Sequence, residues 1–227
     1  MSNYALACFE ILDTNIQMKA TSTAAALADT LRGEINRGRW KAGQVLRQED
    51  LAEEYRVSRL PVREALALLQ AEGLVNIETY RGARIASLST DDIREIFSLR
   101  ILLESEALRA ATPHHTAKSL RILTRWQDDL EAEDEPVAWI ATDRAFHEAL
   151  YEPAGKPRLL GLIRQLRTPI ERYGLAALSP GSRRDDWGQE HRALLEAVAE
   201  KDAGGAAKIL ATHLRETETA ILAALET

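Results

Sequence analysis

The chain of 227 residues has one cysteine, Cys8, so no disulfide can close within it, and a reducing, cytoplasmic setting is the natural expectation. No apolar run approaches the ~20 residues that a membrane-spanning helix needs, so no membrane partner is expected. The opening stretch MSNYALACFEILDTNIQ has no basic start and carries Glu10 and Asp13 among its apolar residues, which argues against a secretory signal. Tandem repeats and low-complexity tracts are missing too, which excludes solenoids and fibrous arrays. Nor is there an overall excess of basic residues: the net charge is −6.

That negative balance is unevenly spread. Residues 23–88 hold 10 Lys and Arg against 9 Asp and Glu, whereas residues 89–227 hold 18 against 24. Any affinity for nucleic acid must therefore reside in the first third, and the acidic remainder keeps the rest of the surface off DNA. With 45% hydrophobic and 28% charged residues the chain is an ordinary globular one, long enough for two domains with separate cores.

The expected fold is mainly α. Residues 1–22 read as an extension without an assigned role. From Thr23, Leu27, Leu31 and Ile35 recur at helical spacing up to about Gly38. QEDLAEEYR fits a second, short helix, and a third runs from about Arg59 to Glu72, with Gly73 placed to end it. Val75, Ile77 and Thr79 then alternate with polar residues before Gly82 and Ile85, a small β-hairpin. Three helices followed by a hairpin make a winged helix-turn-helix over residues 23–88. Residues 89–227 read as about six helices in an antiparallel bundle. Ser89 and Asp92 form a capping-box-like start. Pro136 and Pro157 suit helix beginnings, Pro169 should kink its helix, SPGSRRDD is a loop, and Asp202 caps the last helix.

The most informative stretch is Val57-Ser58-Arg59-Leu60-Pro61-Val62-Arg63-Glu64-Ala65-Leu66. Ser58 is a good N-cap, and Pro61 would stand third in the helix, where a missing N–H leaves no bond unmade. Val62, Ala65 and Leu69 form the buried stripe, while Arg59 and Arg63 project from a neighbouring face. With Arg56 they are an acid-free basic cluster at a helix N-terminus, suited to phosphate and to guanine in the major groove.

This segment resembles the recognition helix of the GntR family of bacterial regulators, V-S-R-T-P-V-R-E-A-L, over about residues 27–87. It departs at Leu60, where the family has a threonine whose hydroxyl would contact phosphate or base; a thymine methyl would suit Leu60. The resemblance implies DNA-binding roles for Ser58, Arg59, Leu60, Pro61 and Arg63, for Arg81 and Gly82 in the wing, and for Arg47 as a phosphate contact.

The five histidines are His114, His115, His147, His191 and His213. His114 and His115 follow Pro113 and read as solvent-exposed. Asp143 and His147 are four apart and share one helix face. Spacing alone does not bring them to His191 and His213 on later helices. Residues 89–227, however, are similar to the FCD ligand-sensing domain of the FadR-type branch, with its D-x-x-x-H, E-H-x-x-L-L and H-L segments. The resemblance implies a divalent transition metal (Zn, Ni or Mn) on Asp143, His147, His191 and His213, and a homodimer on a palindromic operator in double-stranded DNA. Arg100 matches an arginine common in that domain. It would either clamp a small carboxylate effector or pair within its helix with Glu104. The expected function is a repressor released by a small organic acid. A constitutive DNA-binding protein and a metal-dependent hydrolase are the rival readings; the latter lacks a carboxylate placed as a general acid or base, since Glu148 and Glu190 each stand one residue from a histidine.

Overall fold

In the computed structural model, residues 23–78, 82–177 and 184–226 are described. The chain divides into two compact units, 1–87 and 88–227.

In the first unit, helix α1 (residues 23–36) buries Ala24, Leu27, Ala28, Leu31 and Ile35, one stripe at helical spacing. Strand β1 (Val45–Leu46) leads into α2 (Gln48–Glu54) and α3 (Arg59–Ala71), and the hairpin of β2 (Val75–Glu78) and β3 (Gly82–Ile85) follows. Leu31, Ile35, Leu46, Leu51, Val62, Leu66, Leu69, Val75 and Ile85 close one core. The helix ending at Ala71 is followed by Gly73 at φ +73°, the left-handed stop anticipated from the sequence.

The hairpin has a third strand that the sequence did not reveal. The order is β1-β3-β2, all antiparallel, with Val45 opposite Arg84 and Val75 opposite Ile85. A two-residue strand is too short to show an alternating pattern. Its trace in the sequence is Gly82 instead. This residue has φ +94°, and a Cβ on it would lie 2.2 Å from the carbonyl oxygen of Leu46. Gly82 thus owes its place to the close passage of β1. Gly82→Ala is expected to unseat β1 and to cost the first unit about 2 kcal/mol or more. A denaturant midpoint identical to wild type, followed by circular dichroism, would contradict this account.

The second unit is helical. It comprises α4 (Thr90–Ala111), α5 (Ala117–Ala132), α6 (Pro136–Tyr151), α7 (Pro157–Arg167), α8 (Glu171–Ala177), α9 (Arg184–Ala199) and α10 (Ala203–Leu225). Ser89 and Asp92 form the full capping box, Pro136 and Pro157 open their helices, and Asp202 accepts from the Gly205 N–H at the start of α10. Helix α10 packs along α4 and α9, α5 along α6 and α9, and α4 along α6 and α7. Among the described residues no helix is long and apolar enough to cross a membrane.

Three expectations need correction here. Pro169 does not kink one helix; it sits in a 3-10 turn, Thr168–Ile170, that separates α7 from α8, so there are seven α-helices among the described residues of this unit where about six were expected. The segment read as a loop, 179–186, is helical from Arg184, and residues 179–183 lie outside the described ones. His115 is also not exposed. Its ring is buried, with Nε2 at 3.1 Å from the Leu150 carbonyl and Nδ1 at 3.1 Å from Ser119 Oγ, while His114 faces solvent. The 3-10 turn Thr112–His114 that follows α4 swings His115 inward, which a turn proline does not announce.

Candidate metal centre and DNA-reading helix

Helix α3 begins at Arg59, with Ser58 in the N-cap position and Pro61 third in the helix. Val62, Ala65, Leu66 and Leu69 are buried, while Arg59, Leu60 and Arg63 are exposed. A long basic side chain therefore stands one turn from another on the solvent side of a helix whose other side is anchored in the core. Ser58 takes an extended backbone, yet its hydroxyl makes no capping bond, so the expected side-chain cap is not formed and the hydroxyl is available to a ligand. The basic cluster is also not free of acid. Arg59 Nη1 lies 3.1 Å from Glu49 Oε1 of α2, with both side chains mostly exposed. An ion pair of that kind contributes little and gives way to a phosphate. Arg63 has no partner among the described residues. Arg47 stands exposed at the N-cap of α2, again without a side-chain cap bond. Arg81 lies outside the described residues.

In the second unit the other set of predicted residues comes together. The imidazoles of His147 on α6, His191 on α9 and His213 on α10 each present a ligand atom, all within 4.8 Å of one another, and all three rings are buried. Asp143 Oδ1 lies 3.5 Å from His147 Nε2 and 3.6 Å from His191 Nε2. Ligands ~2.1 Å from a tetrahedral zinc stand roughly 3.4 Å apart, so this spacing suits a coordination sphere.

The hydrogen-bond partners decide which ring atoms carry protons. His191 Nδ1 is 3.1 Å from Gln127 Oε1, an acceptor, and His213 Nδ1 is 2.7 Å from Glu190 Oε2, also an acceptor. His147 Nδ1 is 3.0 Å from the Tyr151 hydroxyl, whose own proton is donated to Glu104 Oε2 at 2.7 Å. Each ring thus donates through Nδ1 to an outer partner and turns its Nε2 lone pair inward. His191 Nε2 is fully enclosed and has no hydrogen-bond partner. Three imidazoles and a carboxylate oxygen converge here, with His191 Nε2 enclosed and unpartnered, a donor set that a cation would complete. These residues therefore fit a divalent metal.

Electrostatics keep the donors in ligating form. Burial pushes the His147 imidazole down to about 4, helped by the Arg167 guanidinium, and burial with the two neighbouring imidazoles pushes His191 further down. Both are neutral at pH 7, as a ligand must be. Burial opposes the charge on Asp143, yet its carboxyl is held below the usual range, with the Arg167 guanidinium beside it.

Behind the donors lies a buried ionic network. Arg167 Nη2 donates to Asp143 Oδ2 at 2.9 Å, and its Nη1 donates to Glu104 Oε2 at 3.1 Å. Arg100 Nε donates to Glu104 Oε1 at 2.6 Å, which makes the intrahelical pair a fact. The Arg100 guanidinium also lies over the Phe97 ring, 4.8 Å from its centroid, and the side chain borders a cavity. Burial would raise the Glu104 carboxyl, but Arg100 and Arg167 outweigh it and hold it at about 2.

The cavity opens beside the imidazoles. Asp143, His147, His213, Arg100, Arg167 and the Arg144–Glu171 pair border it on the polar side, and Trp139, Ile170, Trp187, Leu214 and Ile221 on the apolar side. Its volume is about 70 Å³, and it is partly open. A single water needs roughly 10–15 Å³, so a few water positions or one compact molecule fit inside.

Sequence reasoning missed Arg167, and the arginines on either side of it do not join the network. Arg164 borders a different cleft, and Arg172 stacks over the Tyr173 ring. The available signal was position: Arg167 follows Ile163 by one turn on the buried stripe of α7, a charge where the period calls for an apolar residue. Tyr151 was legible in the same way, four residues after His147. Gln127 had no such sign, because only folding brings α5 against α9. Glu190, one residue from His191, reaches the neighbouring helix to hold His213.

Comparison with known proteins agrees with this division of labour. The family model described as bacterial regulatory proteins, gntR family, matches residues 23–85, and the FCD domain model matches residues 95–216. The uncharacterized HTH-type transcriptional regulator BphR of Paraburkholderia xenovorans is 31% identical over 205 residues, 86% of this chain and 84% of its own length. The gluconate operon transcriptional repressor of Bacillus subtilis is 29% identical over 165 residues, 71% of this chain and 67% of its own. Among solved structures, McbR/YncC of E. coli superposes with a TM-score of 0.75 at 25% identity, covering 88% of this chain and 97% of that one.

Proposed function

The chain belongs to the GntR family of bacterial transcriptional regulators and carries an FCD domain, and on that footing we propose that it is a homodimeric repressor whose hold on operator DNA is released by a small organic acid bound beside a metal. The observation that carries the sensing part is the convergence of three buried imidazoles and Asp143 Oδ1, with His191 Nε2 enclosed and without a hydrogen-bond partner. His147, His191, His213 and Asp143 hold the metal; Zn, Ni and Mn all accept three imidazoles and a carboxylate. When bound, the ion supplies a Lewis-acidic position for a carboxylate oxygen. Arg100 offers its terminal nitrogens to the acid, and the tryptophan and isoleucine side chains exclude water around it. The name of the Bacillus relative, a gluconate operon repressor, is in keeping with an acid effector and with repression.

Hydrolysis is disfavoured by the same geometry. Glu190 is engaged with His213 Nδ1, Glu148 borders a separate cleft, and Glu171, on the cavity itself, accepts from Arg144 Nη1 at 3.1 Å, so none is free to move a proton for a substrate. The acid acts by favouring one state of the helical unit over another, which requires different affinities for the two states.

On the DNA side, Arg59, Arg63 and the Ser58 hydroxyl contact the duplex, with Arg63 reading a base and Arg47 and Arg81 contacting phosphate. The test uses an operator selected from a pool of random duplexes. Fluorescence anisotropy should report that operator bound at least 1000-fold more tightly than scrambled duplex, and the metal-loaded protein should release it on addition of an effective acid. Arg63→Ala is expected to weaken the selected site by about 1–3 kcal/mol while leaving scrambled DNA nearly unchanged. Equal losses on both would reduce Arg63 to a phosphate contact. Operator affinity untouched by every acid and by metal removal would favour the constitutive reading.

A further inference from the structure

The chain leaves the first unit and enters the second through a very short joint. On one side the Ala86 N–H donates to the Leu74 carbonyl at 2.9 Å, within the first unit. On the other the Leu88 N–H donates to the Tyr173 hydroxyl at 2.7 Å, within the second. Ser87, which is exposed, is the one residue between these anchors. The next fixed backbone group is the Ser89 N–H, which donates to Asp92 Oδ2 at 2.8 Å in the cap of α4. The anchor at Leu88 comes from a side chain 85 residues further along. Each residue released adds two soft torsions, so without the Tyr173 hydroxyl the joint grows to include Leu88 as well as Ser87.

Tyr173 stands on α8, and α8 is fastened to the helix that carries Asp143 and His147. Arg167, immediately before the 3-10 turn that leads into α8, donates to Asp143 Oδ2 at 2.9 Å. Arg144, the neighbour of Asp143, donates to Glu171 at the head of α8 at 3.1 Å. Gly174 lies close against α6 as well, since a Cβ on it would stand 3.5 Å from Ile140 Cδ1. Glu171 and Gly174 thus border the cavity beside the imidazoles. Tyr173, about 200° around the helix from Glu171, reaches Leu88 instead. The Arg172 guanidinium lies 4.6 Å over its ring, and Nη2 of that arginine donates to the same hydroxyl at 2.6 Å.

We propose that Tyr173 is the positioning residue through which the metal site governs the joint next to the DNA-binding unit. Its hydroxyl holds Leu88 only where α8 places it, and α8 keeps its place through bonds to Asp143 and Arg144. With the donors held on a common ion, that turn of α6 is fixed. Helix α8 is then steadied, Leu88 stays anchored, and the joint remains one residue long. A shorter joint leaves the recognition helices of a dimer fewer arrangements to give up on an operator, so the loaded protein binds DNA more tightly. This rests on the metal and DNA halves of the proposed function and names the residue that connects them.

The experiment compares wild type with Tyr173→Phe, which removes the hydroxyl and keeps the ring under Arg172. Zinc affinity, measured by calorimetry on the full chain, should be the same in both, because no metal donor is touched. Operator affinity is then measured by fluorescence anisotropy on the selected duplex, in chelator and in zinc. Zinc loading should tighten it about ten-fold in wild type and less than about two-fold in Y173F. A tyrosine that only packs would leave the zinc-dependent ratio in place. Its persistence in Y173F therefore overturns the proposal, as does its absence from a wild type that binds both zinc and operator. A wild type that takes up no zinc, or selects no operator, sinks the metal or the DNA half of the proposed function first, and this proposal with it. Hydrogen exchange on wild type gives an answer independent of how well Y173F folds. Zinc should slow exchange of the Leu88 amide at least about ten-fold and leave the Ala86 amide, held by Leu74, nearly unchanged. Equal effects on the two amides, or none at Leu88, would count against the role of Tyr173.

Discussion

In thermal unfolding with added zinc, His191→Ala is expected to lose nearly all of the stabilisation that wild type gains. A ligand at 100 times its Kd stabilises a fold by about 2.7 kcal/mol. Replacing an outer-shell partner typically costs 10–100-fold in metal affinity, and removing a ligand itself should cost at least the upper figure. At the same zinc concentration the variant would then stand near its Kd and gain only about 0.4 kcal/mol. The difference corresponds to roughly 5–10 °C in Tm for a protein of this size. Comparing each protein with and without zinc cancels what the substitution costs on its own, including the lost stacking on Phe146, where the ring centroids are 4.6 Å apart. Equal zinc-induced shifts in wild type and H191A would show that the ion binds elsewhere.

Arg167→Met should be the most damaging single change in the helical unit. The methionine fills much of the space but leaves Asp143 Oδ2 and Glu104 Oε2 without their cation in an enclosed site. Breaking a buried pair in this way costs about 3–5 kcal/mol, because an uncompensated charge stays behind. The sign of the pH dependence is a further check. Glu104 is held at about 2 in the folded protein, below the ordinary ~4.3 of an unfolded chain. Its ionised form therefore contributes stability that is present above pH ~4.3 and is lost as the pH falls toward 2. With Arg167 gone the folded value rises, so the gap between wild type and variant should narrow as the pH drops through that window. A gap of constant size from pH 7 to 3 would mean that Arg167 stabilises by packing alone.

Much of this was legible before the fold was known, and the boundary of legibility is physical. Local order was visible because it depends on neighbours in sequence: Ser89 with Asp92 caps a helix, Pro136 and Pro157 open two, Gly73 closes one, and the stripe of Val62, Ala65 and Leu69 turns Arg59 and Arg63 outward. The joining of His191 and His213 to Asp143 and His147 came from resemblance, since 44 residues and two helices separate His147 from His191. What escaped depends on tertiary contact. β1 is too short to show a period, and His115 is drawn in by a turn whose proline suggested exposure. The acceptors that fix the three imidazole tautomers reach in from α5, α6 and α9, and Gln127 among them carries no mark of its role.

Glu104 is the one carboxylate to which both halves of the site report. It accepts from Arg100 through Oε1 and from Tyr151, whose hydroxyl orients His147, through Oε2. If the acid and the ion bind as proposed, drawing Arg100 toward the anion changes the charge on the carboxylate that sets the basicity of that imidazole. The two ligands would then be thermodynamically linked, and linkage runs equally both ways. Whatever factor the ion adds to the affinity for the anion, the anion returns to the ion, so a cell replete with effector should hold its metal against chelators that strip the effector-free protein.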